Sequence, residues 1–412
     1  MDNVAEISGC YGCGVCATAC PRNIIDIYLN PDGFYEPRIA SMDKCVHCKL
    51  CTEVCSWIHD DLALQSGSNP LSCYAAWSVD EKVRRRCSSG GIGFEIGRYL
   101  LANGYQVCGV RYSTDLGRAE HYIATNEEEL MPSIGSKYIQ SYTVDGFKVI
   151  DLRQKYLVTG TPCQIDSFRR YIRKFRSEGN FILLDFFCHG VPSMLMWRKY
   201  ADWAEKKVGK LEYVSWRNKF TGWHDSWAMA IGGTNGNEKA DRHGSYAMLV
   251  NKEEKGFLNS RLSQGDMFYR LFLSDGCLGK SCYKRCKFKG GHSSADIRIG
   301  DLWGETYKNN EEGVSAAIAF TTKGNEILNQ CGCALVAHPF ELVAEGQMLV
   351  APPQPAYYER LRQCLANSNK TIEDADLIVR KAQQRERLKR VAKNPIVAAK
   401  GYMTRFIKKI LK

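Results

Sequence analysis

Residues 10–21 read CYGCGVCATACP and residues 45–55 read CVHCKLCTEVC. Both runs have the spacing C-x2-C-x2-C-x3-C. Three thiolates packed this closely hold three irons of one cubane, while the fourth, three residues on, points away and serves the other cluster. The pattern therefore predicts two 4Fe-4S clusters with exchanged ligands. Cys10, Cys13, Cys16 and Cys55 hold one; Cys45, Cys48, Cys51 and Cys20 hold the other. Gly12 and Gly14 let the backbone curl around the sulfurs with amides free to face them. Zinc and a disulfide knot are the competing readings. Structural zinc prefers paired C-x2-C knuckles completed by distant ligands, and a doubled eight-cysteine repeat fits that poorly.

This N-terminal region resembles the bacterial dicluster ferredoxins, which implies an α+β ferredoxin-like domain over residues 1–60. Residues 24–39, IIDIYLNPDGFYEPRI, predict two short strands about the turn Asn30-Pro31-Asp32-Gly33. The polar stretch 61–72, containing QSGSNP, reads as a linker. Nineteen cysteines in a 412-residue chain point to metal or redox chemistry rather than a disulfide framework.

From residue 73 strand and helix signals alternate, which predicts a mixed α/β domain over 73–355. Tyr156–Thr159 reads as a strand running through Gly-Thr-Pro into a basic helix, and Phe181–Phe187 as a second strand. Small and polar residues gather in SSGGI (88–92), GSKY (135–138), GTPCQ (160–164), CHGVP (188–192) and DIRIGDLWG (296–304). Strand ends of α/β folds are the usual ligand-binding edge. Ser-Ser-Gly-Gly opening a helix offers bare amides to a phosphate. None of the five is a Walker loop or a G-x-G-x-x-G fingerprint.

These segments, in this order behind a ferredoxin region, resemble the beta-subunit family of coenzyme F420 hydrogenases and dehydrogenases, from Cys10 to Gly304. The resemblance implies a flavoprotein domain that binds FAD, and an overall fold of ferredoxin-like domain, mixed α/β flavoprotein domain and helical C-terminal tail. It implies that Ser89, Gly90 and Gly91 meet the flavin pyrophosphate, that Lys137 and Thr161 are polar contacts, and that Asp301 and Trp303 line the flavin or substrate pocket. His189, His224, Asp225 and His292 are the candidates for proton transfer, with His189 and Asp301 taken as the catalytic pair. Lys287 and Lys289 are candidates to hold an anionic substrate or flavin phosphate.

SCYKRCKFKGG (281–291) adds two cysteines without obvious partners. Cys163 follows Thr-Pro at a helix start and Cys188 ends a strand, so both can emerge on one sheet edge. With Cys282 and Cys286 they make four thiolates. The family uses such split ligation, which implies a third 4Fe-4S cluster. The family's late pair is often two residues apart; here three intervene, and Cys277 is close enough to substitute. A redox-active thiol at Cys163 and inert buried cysteines are the other readings.

The formal charge is +11, and residues 380–412 hold twelve basic residues and one acid, so this tail carries the whole excess. The overall charge therefore gives little support to a general nucleic-acid reading, and no nucleic-acid partner is expected. Residues 356–412 predict a basic helical tail. Beyond Pro395 the apolar residues Ala399, Tyr402, Met403, Phe406, Ile410 and Leu411 fall at helical spacing among lysines and arginines. That suits an anionic membrane surface, or equally an acidic partner or the protein's own body. No leader peptide or apolar span is evident, which predicts a cytoplasmic protein, peripheral to the membrane at most. The expected activity is an iron–sulfur flavoprotein oxidoreductase, with ferredoxin or another redox donor as partner, reducing a small or lipid-linked substrate. Surface-polysaccharide biosynthesis is the context of the family's bacterial members. The alternative is an electron-transfer subunit that oxidises reduced coenzyme F420, or a similar hydride donor, and feeds a partner complex.

Overall fold

Short apolar runs bounded by glycine and proline become strands buried on both faces of one sheet. YLVT forms β7 (Tyr156–Thr159) and FILLDF forms β8 (Phe181–Phe186), with Leu157, Val158, Phe181 and Leu183 fully buried. The computed structural model describes residues 1–65, 70–235, 257–283 and 286–393.

The N-terminal unit holds a hairpin, β1 (Ile25–Leu29) with β2 (Tyr35–Ile39), flanked by the helices Val15–Ala19 and Leu50–Glu53. Gly33 turns the hairpin at φ +81. The body is built on nine strands: β3 (Ser72–Ser78), β4 (Gln106–Ser113), β5 (Arg118–Ala124), β6 (Ser141–Tyr142), β7, β8, β12 (Ile297–Asp301), β13 (Ser315–Ala319) and β14 (Cys333–Ala337). Their order is β14-β3-β13-β12-β8-β7-β4-β5-β6. The run β12-β8-β7-β4 is parallel; β13, β3 and β14 extend it antiparallel on one side, and β5 on the other. The carboxyl ends of β7, β8 and β12 thus share one edge. They deliver GTPC, CHGVP and the end of DIRIGDLWG to the same place. A smaller antiparallel sheet, β9 (Leu211–Ser215), β10 (Ala228–Gly233) and β11 (Phe257–Arg261), closes that edge.

Two expectations change. The linker stretch 61–72 begins with a helix, Asp61–Gln65, and ends inside β3. It is pinned to the body: Arg170 pairs with Asp61 at 2.7 Å and Lys287 with Asp60 at 2.6 Å. The C-terminal boundary also moves. The helix Tyr358–Ala366 and the first turns of Ile372–Lys393 bury Leu361, Ile372, Ala375 and Val379 against Trp197, Phe268 and Phe272. Beyond Val379 the helix is largely exposed. The amphipathic segment expected from residue 396 lies outside the described residues. No helix among the described residues is long and apolar enough to cross a membrane.

Candidate functional site

The cysteines of the N-terminal unit sort into two groups. Cys10, Cys13, Cys16 and Cys55 all line one cavity of about 200 Å³ between the Cys10 loop, β2 and Trp57. Burial pushes the Cys13 thiol up to about 11, with Cys55 adding to the effect, and raises Cys10 and Cys16 as well. Buried thiolates at such close quarters are costly without a cation to compensate them. A polynuclear iron centre supplies that charge, so this donor set fits a cluster. Cys20 and Cys45 pack with Cys51 in a cluster that Cys16 also joins, and none of Cys20, Cys45 and Cys51 lines that cavity. Burial also raises Cys51, and Cys48 and Cys20 act on it. Cys48 is exposed, which puts this group at the surface. Among the described residues no three His, Cys, Asp or Glu side chains converge as they would on a single metal ion. The Cys10 loop seats firmly on the body. Gln140 donates from Nε2 to Tyr11 O at 3.2 Å, and Thr143 from Oγ1 to Cys13 O at 2.8 Å.

At the carboxyl edge of the parallel strands lies a cavity of about 620 Å³. Every motif read in the body reaches it: Ser88, Ser89 and Gly91; Gly135, Lys137 and Tyr138; Gly160 and Thr161; Cys188 and His189; Asp301 and Trp303. Gly91, at φ +93, opens the helix Ile92–Ala102, whose N-terminal residues Ile92, Gly93 and Phe94 also face the cavity. An anion at that end gains from the helix dipole and free amides. Glycines along the walls let a large flat ligand reach the backbone, and Tyr138, Trp227 and Trp303 supply aromatic faces. The residues present thus fit a dinucleotide such as FAD in size and chemistry.

The sequence missed Arg217. It is fully buried behind the cavity wall and ties five wall residues together. Its guanidinium pairs with Asp301 Oδ2 at 2.9 Å, donates to Tyr138 Oη at 3.1 Å and to Ser88 O at 3.3 Å, and lies 4.8 and 5.2 Å from the Trp227 and Trp303 rings. Burial opposes the charge, but Asp301 and Tyr138 hold it and raise the pKa. Trp303 stacks on Trp223 at 4.8 Å. Asp301 also accepts from Trp223 Nε1 at 3.2 Å, so both its oxygens are engaged in positioning. No pattern in SWRNKF marks this arginine; only its tertiary partners do.

Other site residues depart from expectation. Gly90 does not line the cavity. Its N–H donates to Ser315 Oγ at 2.9 Å and its carbonyl accepts from Ser78 N at 2.8 Å. A Cβ there would sit 2.2 Å from Ala76 O and 2.8 Å from Ser315 N, prising β3 from β13. Gly90→Ala is expected to lower stability by about 1–3 kcal/mol, as overpacking does, measured by thermal unfolding. Lys137 Nζ is spent on the carbonyls of Pro132, Ser133, Ile134 and Gly135 at 2.9–3.0 Å. Burial pushes its pKa down to about 7, while the four carbonyls favour the ammonium. Thr161 caps the helix Pro162–Lys174, its N–H donating to Gln164 Oε1 at 2.9 Å, and its hydroxyl lies 3.2 Å from Cys163 Sγ. Lys287 serves Asp60, and Lys289 donates to Cys188 O and His189 O at 2.5 and 3.0 Å. Neither waits for an anion. Of the four proton-transfer candidates His189 alone lines the cavity. Its Nε2 is 2.7 Å from Asp275 Oδ1, off the direction of a hydrogen bond. His224 pairs with Glu311 and Asp225 with Arg261. His292 gives its carbonyl to Arg298.

The late cysteines act on one another. Cys163 is raised by burial and then by Cys188 and Cys282; Cys188 by burial and by Cys286. Cys282 goes to about 12 through burial, then Cys188 and Cys286. Cys277 stays apart, buried with its sulfur 3.3 Å from Met196 Sδ. Cys188 also forms part of the large cavity's wall. This third set fits a cluster by the same charge argument, and Cys13 of the first set acts on Cys163.

Comparison with known proteins agrees with this layout. Residues 9–57 match the 4Fe-4S dicluster domain. Residues 73–148 and 153–339 match the N-terminal and C-terminal parts of the coenzyme F420 hydrogenase/dehydrogenase beta subunit. A coenzyme F420-dependent sulfite reductase of Methanocaldococcus jannaschii is 23% identical over 177 residues, which is 41% of this chain and 26% of that protein. The chain therefore spans about a quarter of that relative's length. A chain of the F420-reducing [NiFe] hydrogenase complex from Methanosarcina barkeri aligns at a TM-score of 0.43 and 17% identity, covering 80% of this chain and 94% of that one. The chain belongs to the coenzyme F420 hydrogenase/dehydrogenase beta-subunit family and carries a 4Fe-4S dicluster domain at its N-terminal end.

Proposed function

We propose that this protein is an iron–sulfur flavoprotein that takes a hydride from reduced coenzyme F420, or a carrier of like chemistry, and hands the electrons singly to a redox partner. One observation carries the reading. A cavity large enough for a flavin dinucleotide has Cys188 in its wall, Cys13 of the first thiol set acts on Cys163 of the late set, and Cys48 of the second set is exposed. When bound, FAD would supply the conversion of a two-electron hydride into single electrons, and 4Fe-4S clusters the one-electron steps that follow.

The chain's own residues prepare that exchange. Ser89, Gly91 and the amide end of the 92–102 helix would hold the pyrophosphate. Arg217, through Asp301, Tyr138 and the two tryptophans, fixes the wall against which a ring would lie. His189, steadied by Asp275 and by Phe272 at 4.7 Å, is the cavity residue placed to hold a proton. Cys163, Cys188, Cys282 and Cys286 would hold a third cluster between the cavity and the Cys10 group. The family supports a hydride carrier of the F420 type more than a reductase of a small or lipid-linked substrate.

Anaerobic stopped-flow titration separates the two. Reduced F420 is expected to bleach the flavin rapidly, followed by cluster reduction. Rapid bleaching by reduced ferredoxin, with none by reduced F420 or NADH, would overturn this reading in favour of the reductase.

A further inference from the structure

We propose that Ser167, a residue of the α/β body rather than of the ferredoxin unit, sets the reduction potential of the cluster held by Cys10, Cys13, Cys16 and Cys55. The inference rests on the cluster reading above and deepens it.

Ser167 is fully buried on the helix Pro162–Lys174. Its Oγ lies 3.3 Å from Cys13 Sγ and accepts from the backbone N–H of Ser56 at 3.1 Å. Ser56 directly follows Cys55, so one hydroxyl is clamped between two ligands of the same set. A hydroxyl has one proton to give. The Ser56 N–H takes one of its two acceptor sites, and its proton is free to turn to the Cys13 sulfur 3.3 Å away. A ligating Cys13 is a thiolate and can only accept. The hydrogen bond therefore runs from Ser167 to the cluster sulfur.

The same helix turn makes the second connection. Cys163 stands four residues before Ser167, on the same helix face. Ser56 donates from Oγ to Cys163 O at 3.2 Å. One turn of helix thus carries a ligand of the third set and the hydrogen-bond donor to the first.

Hydrogen bonds to ligand sulfurs set cluster potential, because they favour the more negative, reduced state. One electron enters and no proton moves; the donor simply meets a larger negative charge. Ser167 is a positioning and tuning residue that acts through Cys13. Its effect falls on one cluster and leaves the others.

An EPR-monitored redox titration of the full-length protein, with iron analysis, tests this. Ser167→Ala is expected to keep its iron and to lower one midpoint, with the others unmoved. The shift should be about tenfold in the reduction equilibrium, 59 mV for one electron. Ser167→Thr, which keeps the hydroxyl, should restore it. An alanine variant with full iron and no shift overturns the proposal, as does one in which every midpoint moves alike. Should the alanine protein lose iron, the threonine variant decides: a wild-type midpoint supports the proposal and a lowered one overturns it. A wild-type protein with no 4Fe-4S signal would instead sink the cluster reading itself.

Discussion

Asp185→Asn is expected to lower the unfolding free energy by about 3–5 kcal/mol, the cost of stranding one partner of a buried ion pair. Asp185 on β8 and Arg298 on β12 are register partners across the parallel strands, and both are fully buried. Their contact is a two-pronged fork, Nε to Oδ1 and a terminal nitrogen to Oδ2, each at 2.7 Å. Ser293 adds a donor to Oδ2 at 2.6 Å. The fork's other donors hold the chain just after Cys286, reaching Gly290 O at 2.6 Å and His292 O at 3.0 Å. Without Asp185, Arg298 loses its paired carboxylate, and its hold on Gly290 and His292, one of the anchors of the Cys286 loop beside Lys287 and Lys289, weakens.

A double variant separates these two effects. Replacing both partners with apolar residues removes the stranded charge and recovers much of the stability, as in Asp185→Leu with Arg298→Met. The arginine's contacts with Gly290 and His292 stay lost, so the double variant should still hold less iron than the wild type. Arg298→Lys keeps the charge without the fork and should fall between. Urea unfolding beside iron analysis reads both quantities. An Asp185→Asn protein that unfolds at the wild-type urea midpoint would show that the pair bears no such load.

The dicluster unit and the parallel strands were legible because their signals are local. Cysteine spacing encodes ligand exchange, and Tyr156–Thr159 is a strand because an apolar run meets Gly160-Thr-Pro. The edge shared by GTPC, CHGVP and DIRIGDLWG follows from parallel pairing, so motif order alone pointed to a common site. What failed to show was everything settled by distant partners. Gly90 and Gly91 look alike in sequence, yet one packs between strands and the other opens a helix toward the cavity. Lys137 reads as a polar cofactor contact and Lys287 and Lys289 as anion ligands, but their acceptors are protein oxygens, mostly backbone carbonyls, that no spacing rule reveals. Arg217 sits in an unremarkable connection between β9 and β10 and acquires its role only where two sheets meet. The polar stretch after Trp57 reads as a linker by composition, while Arg170 and Lys287 hold its start in place.

Cys188→Ala is expected to leave about eight irons per chain where the wild type holds about twelve, since each 4Fe-4S cluster contributes four. The proposed third cluster would draw one ligand from each of two strand ends and two from the 282–286 loop. The one-residue-longer spacing of that pair departs from the family's habit and does not keep it from the site. Cys188 still acts on Cys282, and Cys286 on both. Cys277, the rival ligand, packs against Met196 Sδ and Leu271 O instead. Cys277→Ala therefore serves as the control: it should cost a little stability through a small cavity and keep all its iron. Removing Cys188 also tests the route. Cys188 lines the cavity and acts on Cys282, so the remaining clusters should be reduced slowly or not at all by a hydride donor, yet normally by dithionite. Twelve irons in the Cys188→Ala protein, or eight in the wild type, would remove the third cluster. Fast cluster reduction by the hydride donor in that variant would remove Cys188 from the path.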